Sequence, residues 1–324
     1  MMNMKNIELR QKWLGISNNT ATGFRSLRIS SDCICELYIG VNNKNNRCLI
    51  LALPANKLLN FKGIQKENLS IEYFFEKNLV VVQLIDNAYH DLFDDLILSM
   101  YNGIKEIAQV DEYSNHFIEA FYRWSEFFEE LKSDLLSEDS IKGLIGELLV
   151  LKSLITDPNR IEINFILNSW KGPFDKGNDF ELESKNLEVK TKSPSDFDVK
   201  ISSEFQLEES PGKGLELFVV SLLSDFTSGI HIRDLIFEIK LLVQEYSGDN
   251  TILWKALSQK NINAKNVDQY DRYRFKPINW ISYNCADPNF PKLSRSNIPE
   301  EISGLKYTIR TNLLTEFTIQ KGVF

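Results

Sequence analysis

Between Asn178 and Lys192 the chain reads as a hairpin whose returning arm is amphipathic. In Leu187-Glu188-Val189-Lys190-Thr191-Lys192, apolar or β-branched residues alternate with charged ones. A strand here buries Leu187, Val189 and Thr191 on one face and presents Glu188, Lys190 and Lys192 on the other. Asp179 opens the outgoing arm, Asn178–Leu182. For Asp179 and Glu188 to share a ligand they must lie opposite each other. The hairpin midpoint then falls between Glu183 and Ser184, with a loop of about four residues from Leu182 to Lys185. A tight turn at Lys185-Asn186 would instead pair Asp179 with Lys192 and leave Glu188 roughly 13 Å along the strand.

An acid-x-Lys triplet alone carries nothing, since Glu130-Leu131-Lys132, Glu183-Ser184-Lys185, Asp198-Val199-Lys200 and Glu238-Ile239-Lys240 repeat it. The setting separates Glu188-Val189-Lys190 from these. A further acid, Glu147, interrupts the apolar run Leu144–Leu151 on a helix expected to begin near Ser137-Glu138-Asp139 and end before Asp157-Pro158-Asn159. Buried without a partner, its charge would cost on the order of several kcal/mol. Either it lies on the solvent edge of that helix or it reaches toward the hairpin. Gly143 and Gly146 each cost about 1 kcal/mol of helix propensity relative to alanine, and would make room for a close approach of the hairpin. Asp179 and Glu188, with the Val189 carbonyl, are hard oxygen donors suited to Mg²⁺, which takes few protein carboxylates and keeps its waters. Mn²⁺ is the expected substitute. Glu147 is the further carboxylate, and Lys190 the positive charge beside a phosphate. Metal-dependent phosphodiester chemistry is the expectation.

The rest of the chain bounds this reading. Strand-like runs with polar turns fill residues 1–108, closing on a helix over Asp86–Ala108. Residues 109–136 form an acidic helical connector, with nine acids against Arg123 and Lys132 between Asp111 and Ser140. The helix, short strands over Ile161–Leu167, Asn178–Leu182, Leu187–Lys192 and Val199–Ser202, the apolar run Leu215–Leu223 and a helix over Ile232–Val243 make an α/β core at 137–245. Residues 246–324 are mixed, and the end from Lys260 to Phe324 carries ten basic residues against six acidic. The net charge of −8 argues against a nonspecific nucleic-acid coat. Cys33, Cys35, Cys48 and Cys285 have no metal-site spacing and are expected as reduced thiols. Neither a signal peptide nor a membrane-length apolar run is present, so a cytoplasmic protein with no membrane association is expected.

Glu147, Asp179 and Glu188-Val189-Lys190 together resemble the PD-(D/E)XK nuclease superfamily, with its restriction-endonuclease-like core of mixed sheet flanked by helices. Trp170-Lys171-Gly172-Pro173, Asn178-Asp179, Val199–Leu207 and the closing Phe290-Pro291-Lys292, Ile298-Pro299 and Lys306-Tyr307 are similar to a bacterial family of such proteins. Its genes lie beside restriction and phage-defence genes. The chain departs from the motif in two places: Asn178, not proline, precedes Asp179, and Asp175 is a competing acid in the same loop. The resemblance implies a DNA endonuclease working with defence proteins such as a methyltransferase, helicase or ATPase, with a homodimer suited to double-strand cleavage. The alternative is a catalytically silent DNA-binding or scaffold subunit. Lys192, Ser202, Ser203 and Gln206 are the candidate phosphate contacts, Ser202, Ser203 and Gln206 serving equally to orient the site or to end a strand.

Overall fold

The computed structural model describes residues 6–16, 23–59, 61–128, 135–157, 162–174 and 177–324. The chain forms two compact units. One comprises residues 1–132 with 249–254 and 263–265; the other comprises 133–248, 255–262 and 266–324. The C-terminal residues that look mixed in sequence therefore belong largely to the second unit.

The first unit holds α1 (Asn6–Leu14), the strands β1 (Arg25–Arg28), β2 (Glu36–Val41), β3 (Arg47–Ala52), β4 (Ile64–Gln65), β5 (Leu69–Phe74) and β6 (Leu79–Leu84), then α2 (His90–Ile104) and α3 (Val110–Ser125). The strands make one antiparallel sheet in the order β1-β2-β3-β6-β5-β4. The asparagine-rich turn between β2 and β3 works because Asn42 Oδ1 accepts the amides of Lys44 and Asn46 while Asn45 takes a left-handed φ of 60°. Leu37, Ile39, Leu49, Leu51, Val80 and Val82 stack across the sheet and are fully buried. α2 contributes Leu92, Phe93, Leu96, Ile97, Met100 and Ile104 to the core, at helical spacing. It starts later and ends sooner than the sequence suggests, behind a 3₁₀ turn at Asn87–Tyr89 capped by the Asp86 side chain. The helical connector expected at 109–136 is observed as α3 followed by a 3₁₀ turn at Glu126–Phe128; residues 129–134 lie outside the described residues.

The second unit contains α4 (Glu138–Thr156), α5 (Ile163–Ser169), β7 (Phe180–Glu181), β8 (Lys185–Lys192), β9 (Asp198–Ile201), β10 (Gly214–Ser224), α6 (Ile232–Glu245), the end of α7 (Asn250–Gln259), β11 (Phe275–Asn284), β12 (Tyr307–Arg310) and β13 (Thr318–Gly322). Five strands form a mixed sheet in the order β13-β11-β10-β8-β7, with β8 and β10 parallel and the remaining pairs antiparallel. This is the helix-flanked mixed sheet expected of a restriction-endonuclease-like core. β9 and β12 form a separate two-stranded ribbon.

The alternation in β8 sorts its two faces, but the face expected to be open is covered as well: Glu188 is 1% exposed and Lys190 16%. Val189 and Thr191 meet α4, where the Thr191 methyl packs against Gly146. The other face continues into a core of Leu215, Leu217, Val219, Val199, Ile201, Leu207, Tyr283 and Phe290. α4 begins where Ser137 Oγ accepts the Ser140 amide. The strand expected at Ile161–Leu167 is corrected: its described part is the helix α5. Glu162 caps that helix by accepting the amides of Asn164 and Phe165, and Ile163, Ile166 and Leu167 are buried at helical spacing. Among the described residues no helix is long and apolar enough to cross a membrane.

Candidate active site

The register of the hairpin follows from its turn. The Leu182 amide donates to the Lys185 carbonyl, closing a four-residue turn, and the ladder pairs Glu181 with Asn186 and Phe180 with Leu187. One step further, Asp179 stands across from Glu188. This is the arrangement that a shared ligand requires, and the alternative turn at Lys185-Asn186 does not form. The outgoing strand is shorter than expected, only Phe180–Glu181, so the ladder stops where the acids begin.

At that point a side chain replaces the strand. Asp179 Oδ2 accepts the Val189 amide at 2.7 Å, taking up a donor the ladder no longer satisfies. In an antiparallel ladder a residue's N–H and C=O face the same neighbour. The Val189 carbonyl therefore faces this open edge as well. The Asp179 carbonyl accepts from the amides of both Lys171 and Gly172, at 2.7 and 3.1 Å, and Trp170 bridges to Phe180. The Trp170–Gly172 segment is thus fastened against the aspartate.

Glu147 reaches in from α4, which decides between the two readings left open by sequence. Its Oε2 accepts from the indole nitrogen of Trp170 at 2.7 Å. A Cβ on Gly172 would stand 2.8 Å from Asp179 Oδ1 and closer still to Glu147 Oε2. Only glycine leaves these two carboxylate oxygens a common space. Glu188 is 1% exposed, and its Oε1 lies 2.7 Å from the Lys190 ammonium without another hydrogen-bond partner.

The acids carry the electrostatic mark of a crowded site. Burial, followed by the nearby Asp179 charge, raises Glu147 well above the ordinary glutamate range, against the pull of the Trp170 indole and of Lys260. Burial and then Asp179 push Glu188 up to about 8, opposed by Lys190 and by a hydrogen bond from Asn178. Asp179 is therefore the acid that both glutamates feel most. Like charges gathered around a buried carboxylate are characteristic of functional sites.

The remaining candidates sit less directly. Lys192 is folded into the turn after β8, its ammonium 2.6 Å from the Asp196 carbonyl; burial and the neighbouring Lys142 lower its pKa. Ser203 Oγ accepts the Phe205 amide, and the Ser202 amide donates to Gln206 Oε1. Gln206 Oε1 also lies 3.1 Å from Lys190 Nζ, so the structure joins Gln206 to the lysine. Asp175 falls outside the described residues. Sequence reasoning assigns no chemistry to Trp170, Gly172, Asn178 or Lys260, although the first three stand in segments it singles out.

Among the described residues no three His, Cys, Asp or Glu side chains already form a ready-made metal cage. Mg²⁺ does not need one, because it takes one or two carboxylates and fills its octahedron with water. The Gly172 cradle beside two carboxylate oxygens, the nearby buried Glu188 and the outward Val189 carbonyl fit such an ion.

The family described as "Putative PD-(D/E)XK family member" (DUF4420) matches residues 9–312. The chain belongs to this family. Proteins of the PD-(D/E)XK superfamily are usually nucleases and generally use divalent metals. Comparison with curated proteins and with solved structures gives no match. For this PD-(D/E)XK protein, the site's chemistry must therefore be argued from its own residues.

Proposed function

We propose that this protein is a Mg²⁺-dependent DNA endonuclease, the nuclease component of a bacterial restriction or phage-defence system. The observation that carries the reading is the meeting of Asp179 with Glu188 across the hairpin and with Glu147 around Gly172. Asp179 and Glu188 would hold the ion, with Glu147 and the Val189 carbonyl alongside. A Mg²⁺ bound there supplies Lewis acidity toward a phosphodiester and offsets the repulsion among the acids.

The protein's own groups do the rest. Lys190, 16% exposed and fixed between Glu188 and Gln206, offers a positive charge to the phosphate as negative charge builds on it. Asp179 keeps the Val189 amide satisfied and so keeps the edge of β8 fixed while the site is in use. Trp170 holds Glu147 in the rotamer that faces Asp179. The family's nuclease-like character supports the reaction class. DNA as substrate, and a methyltransferase, helicase or ATPase as partner, rest on the resemblance of the sequence to defence-associated proteins.

The test is incubation of the purified full chain with supercoiled plasmid in Mg²⁺ or in EDTA. Nicking or linearisation should require the metal and fall at least about a hundredfold in Asp179→Asn and Lys190→Ala. A wild-type protein inactive on DNA with either Mg²⁺ or Mn²⁺, even with its neighbouring gene products added, would favour a silent DNA-binding subunit.

A further inference from the structure

Lys190 ends in a flexible four-carbon stem, and its nearer neighbour, Glu188 at 2.7 Å, is itself an expected ion ligand. A lysine held by that glutamate alone would follow it whenever the ion drew it away. A second acceptor is present. Gln206 Oε1 takes a hydrogen bond from Lys190 Nζ at 3.1 Å and another from the Ser202 amide at 2.7 Å, so the amide oxygen is itself fixed to the backbone.

The same residue reaches the other limb of the site. The Gln206 carbonyl accepts from Asn178 Nδ2 at 2.7 Å, and Asn178, itself buried, directly precedes Asp179. One residue thus ties the lysine of β8 to the loop that carries the aspartate. An amide oxygen suits this role because it accepts from an ammonium without adding charge, and so does not compete with a phosphate for the lysine.

The turn bearing Gln206 is clamped on both sides. Glu204, 4% exposed, accepts the amides of Gly304 and Leu305 at 3.2 and 3.1 Å, and its carbonyl accepts from Arg295 at 3.0 Å. Leu207 is fully buried in the core. The turn bearing Gln206 is therefore anchored to the C-terminal segment as well as to the hairpin it serves.

We propose that Gln206 is a positioning residue, holding the Lys190 ammonium and, through Asn178, the loop that carries Asp179, instead of contacting substrate. The catalytic meaning of this role rests on the nuclease reading; the positioning itself does not. The test uses full-length protein labelled with [ε-¹³C]lysine, with the Lys190 signal assigned by its loss in Lys190→Arg. The two ε-methylene protons of a held lysine should give separate signals in the wild type. Gln206→Met, which keeps length but removes the acceptor, should merge them, and Gln206→Glu, which keeps an acceptor oxygen, should restore the separation. On DNA, Gln206→Met should lower kcat about tenfold with KM changed less than about twofold, and Gln206→Glu, which restores an acceptor but adds a charge that competes with phosphate for the lysine, should recover only part of the loss.

Merged signals in the wild type, or signals that Gln206→Met leaves unchanged, would overturn the proposal. So would altered signals with an unaltered kcat, or a loss in Gln206→Met confined to KM. If Gln206→Met does not fold, the wild-type signals and those of Gln206→Glu decide. If the wild type cuts no DNA, the labelling experiment still decides the positioning role, and that failure counts against the nuclease reading alone.

Discussion

Asp179 stands opposite Glu188 with its Oδ2 on the Val189 amide, so one carboxylate both completes the ladder and faces the other acids. The two duties separate in Asp179→Asn. Asparagine keeps an oxygen for the Val189 amide but removes the charge that raises Glu147 and Glu188. Without added metal, Asp179→Asn should melt at or above the wild-type temperature, because a like-charge repulsion is gone. The rise in melting temperature that Mg²⁺ gives the wild type should disappear. An undiminished Mg²⁺ shift in this variant would remove Asp179 from the ion's ligands.

Gly172 offers a test that leaves every carboxylate in place. Its added Cβ would enter the space shared by Glu147 Oε2 and Asp179 Oδ1. Gly172→Ala should fold, since no left-handed φ demands glycine there, yet it should lose at least about tenfold in Mg²⁺ affinity. Titration calorimetry of wild type and variant reads this directly. Equal affinities would place the ion elsewhere.

How far the site is legible in the sequence depends on which interactions are local. The two faces of β8 follow from side-chain alternation, and the register follows from asking Asp179 to meet Glu188. Both are properties of one fifteen-residue stretch, 178–192. The helix bearing Glu147 announces itself through Ser137 and the acids after it. α5 reads wrongly as a strand because a short apolar run does not by itself distinguish strand from helix, and the deciding contact is a glutamate side chain capping two amides. Gln206 reads equally as a phosphate contact, an orienting group or a strand end because its partners, Lys190 and Asn178, lie 16 and 28 residues away and nothing in its own turn names them. The strand β13 is hidden for a related reason: its pairing is with β11, across the intervening turns and loops.

The raised acids also set a pH dependence. Glu188 has a folded-state pKa near 8 against an ordinary value of 4.5. Between those values the folded chain retains a proton that the unfolded chain has released. The resulting stability is fully present below 4.5 and is lost as pH rises through about 8, and Glu147 shifts in the same direction. In EDTA the melting temperature should therefore fall across this window, by an amount corresponding to a few kcal/mol. Glu188→Gln should flatten part of that fall, with Glu147 leaving the rest. Mg²⁺ needs the deprotonated acids, so its stabilising shift should be larger at about pH 8.5 than at about pH 6. The reverse order in a melting series would contradict the buried-acid account.

The two glycines of α4 separate helix propensity from packing. Gly143 and Gly146 both weaken the helix by about 1 kcal/mol relative to alanine, and the sequence offers both as room for the hairpin. The structure divides them. An added Cβ at Gly143 meets nothing within 4 Å, whereas at Gly146 it would collide with the Thr191 methyl and stand 3.8 Å from a Val189 methyl. Gly143→Ala should therefore gain about 1 kcal/mol in chemical denaturation. Gly146→Ala gains the same propensity but must push β8 away, at a cost of about 1–3 kcal/mol for overpacking, so its net effect is destabilising. Because β8 carries Glu188 and Lys190 on its opposite face, that displacement should also lower cleavage, while Gly143→Ala leaves it unchanged. Shortening the obstructing side chain in Gly146→Ala/Thr191→Ser should recover stability beyond the sum of the two single changes. Strict additivity would mean that α4 and β8 do not meet at this contact.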